Sequence, residues 1–384
     1  MKTVNPNRTG KTVKQVSGNY LAFIPNKISP DGPSDLNYDA EMWKLLSEAD
    51  LALGELNGVT KTLYSPDLFI GFYVQKEALL SSQIEGTECS LDEILQADEQ
   101  TGEVKPVEEV INYITAMNLG MKQLESIPFS TRLIKEIHKT LMQGVRGKEK
   151  LPGEFKRYQN WIGPTGCTLD EAVFIPPPPH ETSDLMGDLE NYYHAESKLP
   201  MLIKAAILHA HFETIHPFAD GNGRIGRLLI TFLLCHKKIL DKPLLYLSLF
   251  FKENKSEYYS LLMKTRMEGD WEEWIKFFLR GVRNTSKEAA STARELILLR
   301  ENNRALINEK LSRSTYAHQI YEIITEMPII SIARVAKQYK IPFPTVQRTV
   351  EGLREIGLID ITEDKYGKVI KFTNCIEILK RGTQ

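Results

Sequence analysis

Twelve residues near the middle of the chain, HPFADGNGRIGR from His216 to Arg227, combine groups that could bind a phosphate and react with it. Gly221, Asn222 and Gly223 can adopt backbone angles that most residues avoid, so their N–H groups can point into one concavity and hold an anion. A helix that starts just after these residues would direct its positive end to the same place. The spacing therefore predicts a phosphate-binding loop between two helices.

Four side chains of this loop supply the chemistry that such a site would need. Arg224 and Arg227 lie three positions apart on one helical face, and two guanidinium groups suit a di- or triphosphate. Asp220 is the one carboxylate of the loop, and a single carboxylate beside phosphate oxygens commonly holds Mg²⁺. His216 can serve as a general base, because the unperturbed pKa of histidine is about 6.5. Each residue alone is typical of a helix end or a solvated face, but their combination favours a reactive site.

Three other interpretations of the loop are disfavoured. GNGRIG fits the dinucleotide fingerprint G-x-G-x-x-G, but that fingerprint follows a β-strand, and the residues before this loop have helical periodicity. A phosphate loop of the G-x-x-x-x-G-K-S/T type does not occur in the sequence. A zinc site of His209, His211 and His216 is also disfavoured, because residues two apart on a helix point about 200° away from each other.

Composition and charge indicate an ordinary soluble protein with room for two or three domains. The 384 residues are 42% hydrophobic and 26% charged, and the net charge of −2 implies no general attraction to nucleic acid or anionic membranes. The cysteines lie far apart without a C-x-x-C pair, which favours a reducing compartment. We see no apolar run near the roughly 20 residues of a membrane helix and no secretory signal, so we expect a cytoplasmic protein without a membrane partner.

The pattern along the chain is mainly α-helical, with one interruption. The run RLLITFLLC directly after the loop is apolar on all sides, as expected for a core helix. Residues Gly153–Glu181, called the flap segment below, contain short apolar runs around a turn rich in Gly, Pro and Thr. This segment predicts a β-hairpin or an ordered flap.

Residues 313–384 show the pattern of a helix-turn-helix followed by two short strands. The turn would lie at Lys340–Pro344, and Ile359–Thr362 with Val369–Phe372 would form a wing. We therefore predict a winged helix-turn-helix domain. The region has 11 Lys+Arg against 8 Asp+Glu, a net charge of +3, which is modest for a DNA-binding domain. DNA and another protein both remain open as its partner.

The complete loop, His216-Pro217-Phe218-x-Asp220-Gly221-Asn222-Gly223-Arg224-x-Gly226-Arg227, resembles the signature of the Fic/Doc family. The resemblance extends over about residues 45–285 and, more loosely, over the C-terminal region. It implies a helical bundle with a β-hairpin flap over the site. It also implies a protein adenylyltransferase, which transfers AMP from ATP to a Tyr, Ser or Thr hydroxyl of a target protein and releases pyrophosphate.

The resemblance also assigns roles to individual residues. His216 would activate the target hydroxyl, and Asp220 would hold Mg²⁺. The glycine turn would bind the α-phosphate of ATP, and the two arginines would bind the β- and γ-phosphates. The implied ATP-binding set is Asp220, Gly221, Asn222, Gly223, Arg224, Ile225, Gly226, Arg227, Tyr258 and Tyr259, where core packing is the alternative for the two tyrosines. The flap residues expected to line the path of the target peptide are Ala172, Val173 and Phe174.

A second stretch, KEALLSSQIEGTE, contains Ser81-x-x-x-Glu85-Gly86 and resembles the inhibitory motif of the same family, S/T-x-x-x-E-G/N. A carboxylate at the C-terminal end of a helix is unfavourable for the helix dipole, so Glu85 should be drawn to a cation. The resemblance implies that this cation is Arg227, which would then be unable to bind the γ-phosphate. Taken alone, the pattern is also typical of an ordinary exposed helix end.

Two alternatives for the function stay open. The Fic-like domain could sense a nucleotide for a DNA-binding transcriptional regulator, although intact His216 and Asp220 favour an enzyme. Glu85 could also position a water for the removal of AMP from a modified protein. The family further suggests self-modification with AMP and a homodimer.

These patterns divide the chain into five expected regions. They are a flexible N-terminal segment (1–40), a helical region with the inhibitory motif (41–125), the catalytic domain (126–285), a helical connector (286–312) and the winged helix-turn-helix domain (313–384).

Overall fold

The structure is a computed structural model that describes residues 6–15, 20–91, 93, 105–144, 150–164, 166–364 and 367–382. Helices predominate within these residues, as the sequence predicts. The described helices are α1 (Ala40–Thr60), α2 (Pro66–Ile84), α3 (Lys105–Leu124), α4 (Thr131–Leu141), α5 (Pro179–His194), α6 (Met201–Ile215), α7 (Asn222–His236), α8 (Leu247–Glu253), α9 (Lys255–Met267), α10 (Trp271–Lys310), α11 (Ala317–Glu326), α12 (Ile332–Tyr339), α13 (Phe343–Glu355) and α14 (Thr373–Lys380). The described strands are β1 (Gly10–Lys14), β2 (Leu21–Pro25), β3 (Ile329–Ser331), β4 (Asp360–Asp364) and β5 (Gly367–Lys371). Across the described ranges, no helix has both the length and the apolar content of a membrane span.

The chain forms two compact units, each described here by itself. The first unit comprises Met1–Gly54 and Val74–Ser286, and the second comprises Glu55–Tyr73 and Lys287–Gln384. Helices α1, α2 and α10 each contribute residues to both units.

The core of the first unit is built around α6 and α7. Residues Leu202–Ile215 of α6 are all buried, including polar side chains such as Lys204, His209 and Glu213. Helix α7 packs along α6 and also contacts α3 and α4, while α5 and α9 pack against α6. Burial of a side chain such as Phe212 or Phe232 contributes roughly 1.5–3 kcal/mol to folding. The two helices that flank the loop are therefore anchored in the most buried part of the unit.

Two left-handed residues produce the turn between α6 and α7. His216 caps the C-terminus of α6 with a φ of 49°, and Gly221 precedes α7 with a φ of 77°. A positive φ is accessible to glycine at no cost, whereas it strains a histidine by about 1–3 kcal/mol. The predicted arrangement of helix, short loop and helix is present, and the strain falls on the candidate catalytic residue.

The N-terminal segment, expected to be flexible over residues 1–40, contains a β-hairpin in its described part. Strands β1 and β2 pair antiparallel, with Gly10 opposite Pro25 and Lys14 opposite Leu21. The Phe23 N–H donates a hydrogen bond of 2.9 Å to the carbonyl of Ile175 in the flap segment. That distant contact orders the strand, and no local sequence pattern could have shown it. Residues 1–5 and 16–19 lie outside the described part of the chain.

The described residues of the flap segment form a loop closed by one β-bridge, where the sequence predicted a β-hairpin or an ordered flap. Ile162 and Phe174 form the bridge, through N–H···O bonds of 2.9 and 3.1 Å. Between them lies a 3₁₀ turn at Leu169–Glu171, with a capping box between Thr168 and Glu171. The prolines at positions 164 and 176–179 have no N–H to donate, which keeps the ladder from extending in either direction.

The second unit contains a three-stranded antiparallel sheet in the order β3-β5-β4. Helices α12 and α13 pack on each other, α11 packs on α13, and a left-handed Lys340 (φ 54°) ends α12. This element order is the one expected of a winged helix-turn-helix, and that identification stays a prediction. The expected wing residue Lys365 lies outside the described residues.

Candidate active site

The loop from His216 to Arg227 is closed on itself by the side chain of Asn222. Its Oδ1 accepts a hydrogen bond of 2.8 Å from the Phe218 N–H, and its Nδ2 donates one of 2.8 Å to the Phe218 carbonyl. Phe218 is fully buried and anchors the loop in the core, as the sequence suggested. The Asn222 side chain thus fixes the shape of the loop, which leaves its backbone N–H for an anion.

The glycine turn forms a cradle at the N-terminus of α7, where the first N–H groups have no partner within the helix. The Gly221 N–H donates to Asp220 Oδ1 at 2.6 Å. A Cβ on Gly223 would lie 2.2 Å from Oε1 of Glu85, so only glycine allows that carboxylate to approach the backbone so closely. The carboxylate of Glu85 therefore occupies the space where an anion is expected.

His216, the expected base, is half-buried beside the loop. Its pKa is lowered to about 3, first by burial and then by the nearby cations of Lys156 and Arg266. The imidazole is therefore neutral at physiological pH and can accept a proton. Its Nδ1 has no hydrogen-bond partner among the described residues.

Lys156 and Asn160, which the sequence analysis did not single out, hold the backbone on either side of His216. Lys156 Nζ donates to Asn160 Oδ1 (2.8 Å), to the Ile215 carbonyl (3.2 Å) and to the His216 carbonyl (3.0 Å). Asn160 Nδ2 donates to the carbonyls of His216 (3.0 Å) and Phe218 (2.8 Å). Burial lowers the pKa of Lys156 to about 7, whereas three acceptors around one amine favour the ammonium form. A single lysine in a turn carries no sequence signal of this role.

His138 of α4 is a second residue that the sequence analysis missed. The Gly153 N–H donates to its Nδ1 at 2.9 Å, so its Nε2 carries the proton and donates to the Asp220 carbonyl at 3.0 Å. Its ring stacks on Phe218 at 3.7 Å, and burial lowers its pKa to about 4. Position 138 follows Ile134 by four residues on the apolar face of α4, and a histidine on that face was the signal that could have revealed it.

The structure brings the predicted inhibitory residues into contact with Arg227. The guanidinium of Arg227 donates to Ser81 Oγ (2.7 Å), to the Ser81 carbonyl (2.9 Å) and to Glu85 Oε1 (2.7 Å). Burial disfavours the charge of Arg227, but the carboxylate of Glu85 outweighs this effect and raises the pKa of Arg227. Helix α2 ends at Ile84, and Gly86 turns the chain with a φ of 89°.

Arg224 is buried and only loosely engaged. Its guanidinium lies 3.9 Å from Glu109 Oε2 and 3.7 Å from Asp220 Oδ1, and its Nε has no hydrogen-bond partner among the described residues. Asp220 is partly exposed, and the described residues contain no group of three or more acidic, His or Cys side chains that could hold a metal ion. A magnesium ion here would rely on one carboxylate and on ligand oxygens, which is a coordination that Mg²⁺ accepts.

Of the two tyrosines expected near the adenine, only Tyr259 exposes its ring. Tyr258 lies in an aromatic cluster with Phe251 and Trp274, and its hydroxyl donates to His209 Nε2 at 2.8 Å. Tyr259 is 40% exposed. Tyr258 thus supports the core, which was the alternative considered for both tyrosines.

Ile225 and Gly226 join the two core helices and do not face the loop. Ile225 is buried, and a Cβ on Gly226 would lie 2.3 Å from Glu213 Oε1 on α6. The Gly226 carbonyl accepts a hydrogen bond of 2.9 Å from His209 Nδ1. Both residues hold α6 and α7 together, so their contribution to an ATP site is to position its helices.

The three flap residues have different surroundings. Val173 is 60% exposed, Ala172 is half-buried, and Phe174 is buried. The Phe174 ring packs against Phe23 at 5.7 Å and under the Arg266 guanidinium at 4.4 Å. Val173 is therefore the flap residue most open to a partner, while Phe174 anchors the flap.

Comparison with known proteins identifies two regions of the chain. Residues 128–234 match the family model described as Fic/DOC family, and residues 43–122 match the Fic/DOC family N-terminal model. A probable protein adenylyltransferase of Aquifex aeolicus is 29% identical over 48% of this chain, and the protein adenylyltransferase Fic of Drosophila erecta is 33% identical over 43%. The chain spans 54% and 31% of the lengths of these two relatives.

Solved structures support the same fold. A Fic family protein from Desulfovibrio desulfuricans superposes with a TM-score of 0.60 at 20% identity, covering 88% of this chain and 97% of that protein. A Fic domain containing signaling protein from Bacteroides thetaiotaomicron superposes with a TM-score of 0.50 at 22% identity, covering 64% of this chain and 97% of that one. Residues 128–234 are therefore a Fic/DOC domain, which carries the signature loop, and residues 43–122 are the N-terminal region typical of that family.

Proposed function

We propose that this protein is an adenylyltransferase that moves AMP from ATP to a Tyr, Ser or Thr hydroxyl of a target protein. The observation that carries the proposal is the carboxylate of Glu85, which lies against Gly223 and Arg227 at the N-terminus of α7. An anion held by a helix N-terminus and a buried guanidinium stands in for a phosphate group. The names of the relatives from Aquifex and Drosophila, both adenylyltransferases, support the same activity.

In the proposed reaction, the cradle of Gly221–Gly223 holds the α-phosphate beside His216. The neutral imidazole takes the proton of the target hydroxyl, and the hydroxyl oxygen forms a bond to the α-phosphorus. The bond from that phosphorus to the bridging oxygen breaks, and pyrophosphate leaves with the electron pair. Arg224 and Arg227 stabilise the negative charge that accumulates on the leaving group. Bound at Asp220, Mg²⁺ would neutralise phosphate charge.

The proposal includes self-inhibition by Glu85. Arg227 uses three of its five N–H donors on Ser81 and Glu85. A γ-phosphate would have to displace a carboxylate that is already paired with this guanidinium. Removal of the carboxylate would free both Arg227 and the space above Gly223.

The test is incubation of the full chain and its Glu85→Gly variant with Mg²⁺ and ATP labelled on either the α- or the γ-phosphate. We expect Glu85→Gly to raise labelling at least tenfold, because the carboxylate paired with the buried Arg227 no longer competes with ATP. The label should come from the α-phosphate alone, on a lysate protein or on the chain itself.

Glu88→Gly is the matched control, since Glu88 is exposed three residues further along. Labelling that Glu85→Gly leaves unchanged, or that Glu88→Gly raises equally, would remove the inhibitory role. Label from the γ-phosphate would show that the protein transfers phosphate and not AMP.

For the C-terminal region we infer a winged helix-turn-helix that docks to a protein more readily than to DNA. Arg354 on α13 and Lys368 on β5 both pair with Glu351, with N···O distances of 2.7 and 3.6 Å. These ion pairs reduce the positive charge that the two elements could offer to DNA phosphates. DNA binding depends on several uncompensated contacts to phosphates. A gel shift with duplex DNA at low salt tests this inference, since a salt-dependent shift would favour DNA. The homodimer and the cytoplasmic location remain predictions.

A further inference from the structure

A cavity of about 310 Å³ lies in the first unit, apart from the phosphate loop. It is lined by the N-terminal segment, α6, α9 and the start of α10, and none of residues 216–227 contributes to its wall. Small-molecule sites are commonly cavities of roughly this size or larger, with mostly apolar walls and a few convergent polar groups. The side chains that define its chemistry are Phe23, Ile28, His211, Thr214, Arg266 and Trp271.

His211 provides an unused polar group in this cavity. Only 3% of the residue is exposed, its ring lines the cavity, and it makes no hydrogen bond to any described residue. Buried polar groups in proteins are nearly always hydrogen-bonded, because an unmade bond costs about as much free energy as desolvation of the group. The ring nitrogens of His211 are not among the fully buried polar atoms that lack a partner, so they are open to the cavity, where a ligand can form hydrogen bonds with them.

Arg266 supplies a buried charge without a carboxylate hydrogen-bonded to it. Its guanidinium donates to three uncharged acceptors, which are Thr214 Oγ1 (3.2 Å), the Glu213 carbonyl (3.0 Å) and Met263 Sδ (3.5 Å). Burial lowers its pKa only to about 10, so the group stays charged at neutral pH. A charge in this position attracts an anion into the cavity.

The other cations of the wall are already balanced. Arg8 donates two hydrogen bonds of 2.8 Å to the carboxylate of Glu272, and Lys27 pairs with Asp188. The unbalanced positive charge of the wall is thus that of Arg266 on α9. Its guanidinium lies at the C-terminal end of α6, where it donates to Thr214, and His211 lies three residues before Thr214 on the same helix. A ligand with one anionic group fits this distribution better than a polyanion does.

The remaining wall combines uncharged polar side chains such as Asn7 and Ser34 with an apolar and partly aromatic set, Phe23, Pro25, Ile28, Pro33 and Trp271. Such a surface favours a flat apolar body. We propose that this cavity binds a small organic anion, with its charged group at His211 and Arg266 and its apolar body against Phe23 and Trp271. Arg266 also contacts the last turn of α6, which leads into the phosphate loop, and the flap residue Phe174. A ligand bound at Arg266 would therefore contact a residue that packs against both the loop and the flap.

The test uses the full chain with ¹⁵N-labelled histidine, and benzoate as the probe. The His211 ring resonances are identified as those lost in His211→Leu. We expect benzoate to shift them with millimolar affinity, as befits a ligand of this size. Benzamide, which has the same shape without the charge, should bind at least about tenfold more weakly, because it lacks the charge-assisted hydrogen bonds. Inorganic phosphate, which lacks the apolar body, should also bind more weakly.

Two variants that fill the cavity provide the control. Thr9→Phe and Ser34→Phe place a ring in the wall, and we expect either to abolish the benzoate shift in a protein with a normal melting temperature. Thr12→Phe, on β1 but outside the wall, should leave it intact. An unmoved His211 resonance, equal binding of benzamide, or a shift that persists in both folded filling variants would overturn the proposal. Neither the probe nor the readout depends on AMP transfer.

Discussion

The phosphate loop and the flap segment lie in the same unit but are held in very different ways. The loop is fixed by its own Asn222, by the buried His138, and by Lys156 and Asn160 at the N-terminal end of the flap segment. The rest of the flap is closed by one bridge at Ile162 and exposes side chains such as Tyr158 (82% exposed) and Val173. Chemistry requires placement within about 0.5 Å, whereas recognition of a protein partner tolerates more variation. We infer that the loop sets the rate and that the flap sets the affinity for the target.

The largest effect should come from His216→Ala in the loop. Loss of a general base lowers kcat about 10²–10⁴-fold, while the cradle and both arginines remain able to bind ATP. The measurement is the rate of AMP transfer in the Glu85→Gly background, together with calorimetric ATP binding. If transfer persists at the parent rate, another group is the base and the loop does not set the rate in this way.

The next effect should come from Lys156→Met, which removes an ammonium near the base. The cations of Lys156 and Arg266 help to lower the pKa of His216, while a hydrogen bond with the backbone of Glu213 raises it. A base works only when deprotonated, so activity falls as the pH drops below its pKa. Without Lys156 this pKa rises, and the acidic limb of the pH profile of kcat/KM should move to higher pH.

Lys156→Arg is the control, because it retains the charge and should keep the acidic limb in place. An acidic limb that Lys156→Met leaves unmoved, with a lower rate at every pH, would reduce Lys156 to a support of the backbone. In the protein with Lys156 intact, the acidic limb of the pH profile of kcat/KM should lie below pH 6.5, which is the usual pKa of histidine.

A smaller effect is expected from His138→Phe, which preserves the stacking on Phe218 but removes two hydrogen bonds. The Gly153 N–H and the Asp220 carbonyl would lose their partner, at a cost of about 1–3 kcal/mol each. We expect a lower free energy of unfolding by urea and weaker binding of Mg²⁺–ATP. His138→Asn, which can restore one of the two bonds, should recover part of both. A variant with parental stability and ATP affinity would show that His138 does not position Asp220.

The sequence predicted the helix–loop–helix arrangement of the site but not the side chains that support it. His216, Asp220 and Arg227 could be proposed as site residues because their types and spacing are local and specific. The role of Lys156 depends on which carbonyls surround it, and the strand β2 depends on a contact with Ile175 far along the chain. Tyr258 was ambiguous because an aromatic residue on a helix suits both a core and a pocket. Long-range contacts of this kind produce no periodic pattern in the sequence.

The smallest effect should come from Val173→Ala on the flap. Truncation of one exposed apolar side chain at a protein interface costs about 1 kcal/mol, which corresponds to roughly fivefold in affinity. We expect the KM for the labelled target to rise by this factor, while kcat and the KM for ATP stay unchanged. Leu51→Ala is the matched control, because Leu51 is 76% exposed on α1, away from the flap. A lower kcat in Val173→Ala would mean that the flap also positions the reacting groups, and the division of labour between loop and flap would then be wrong.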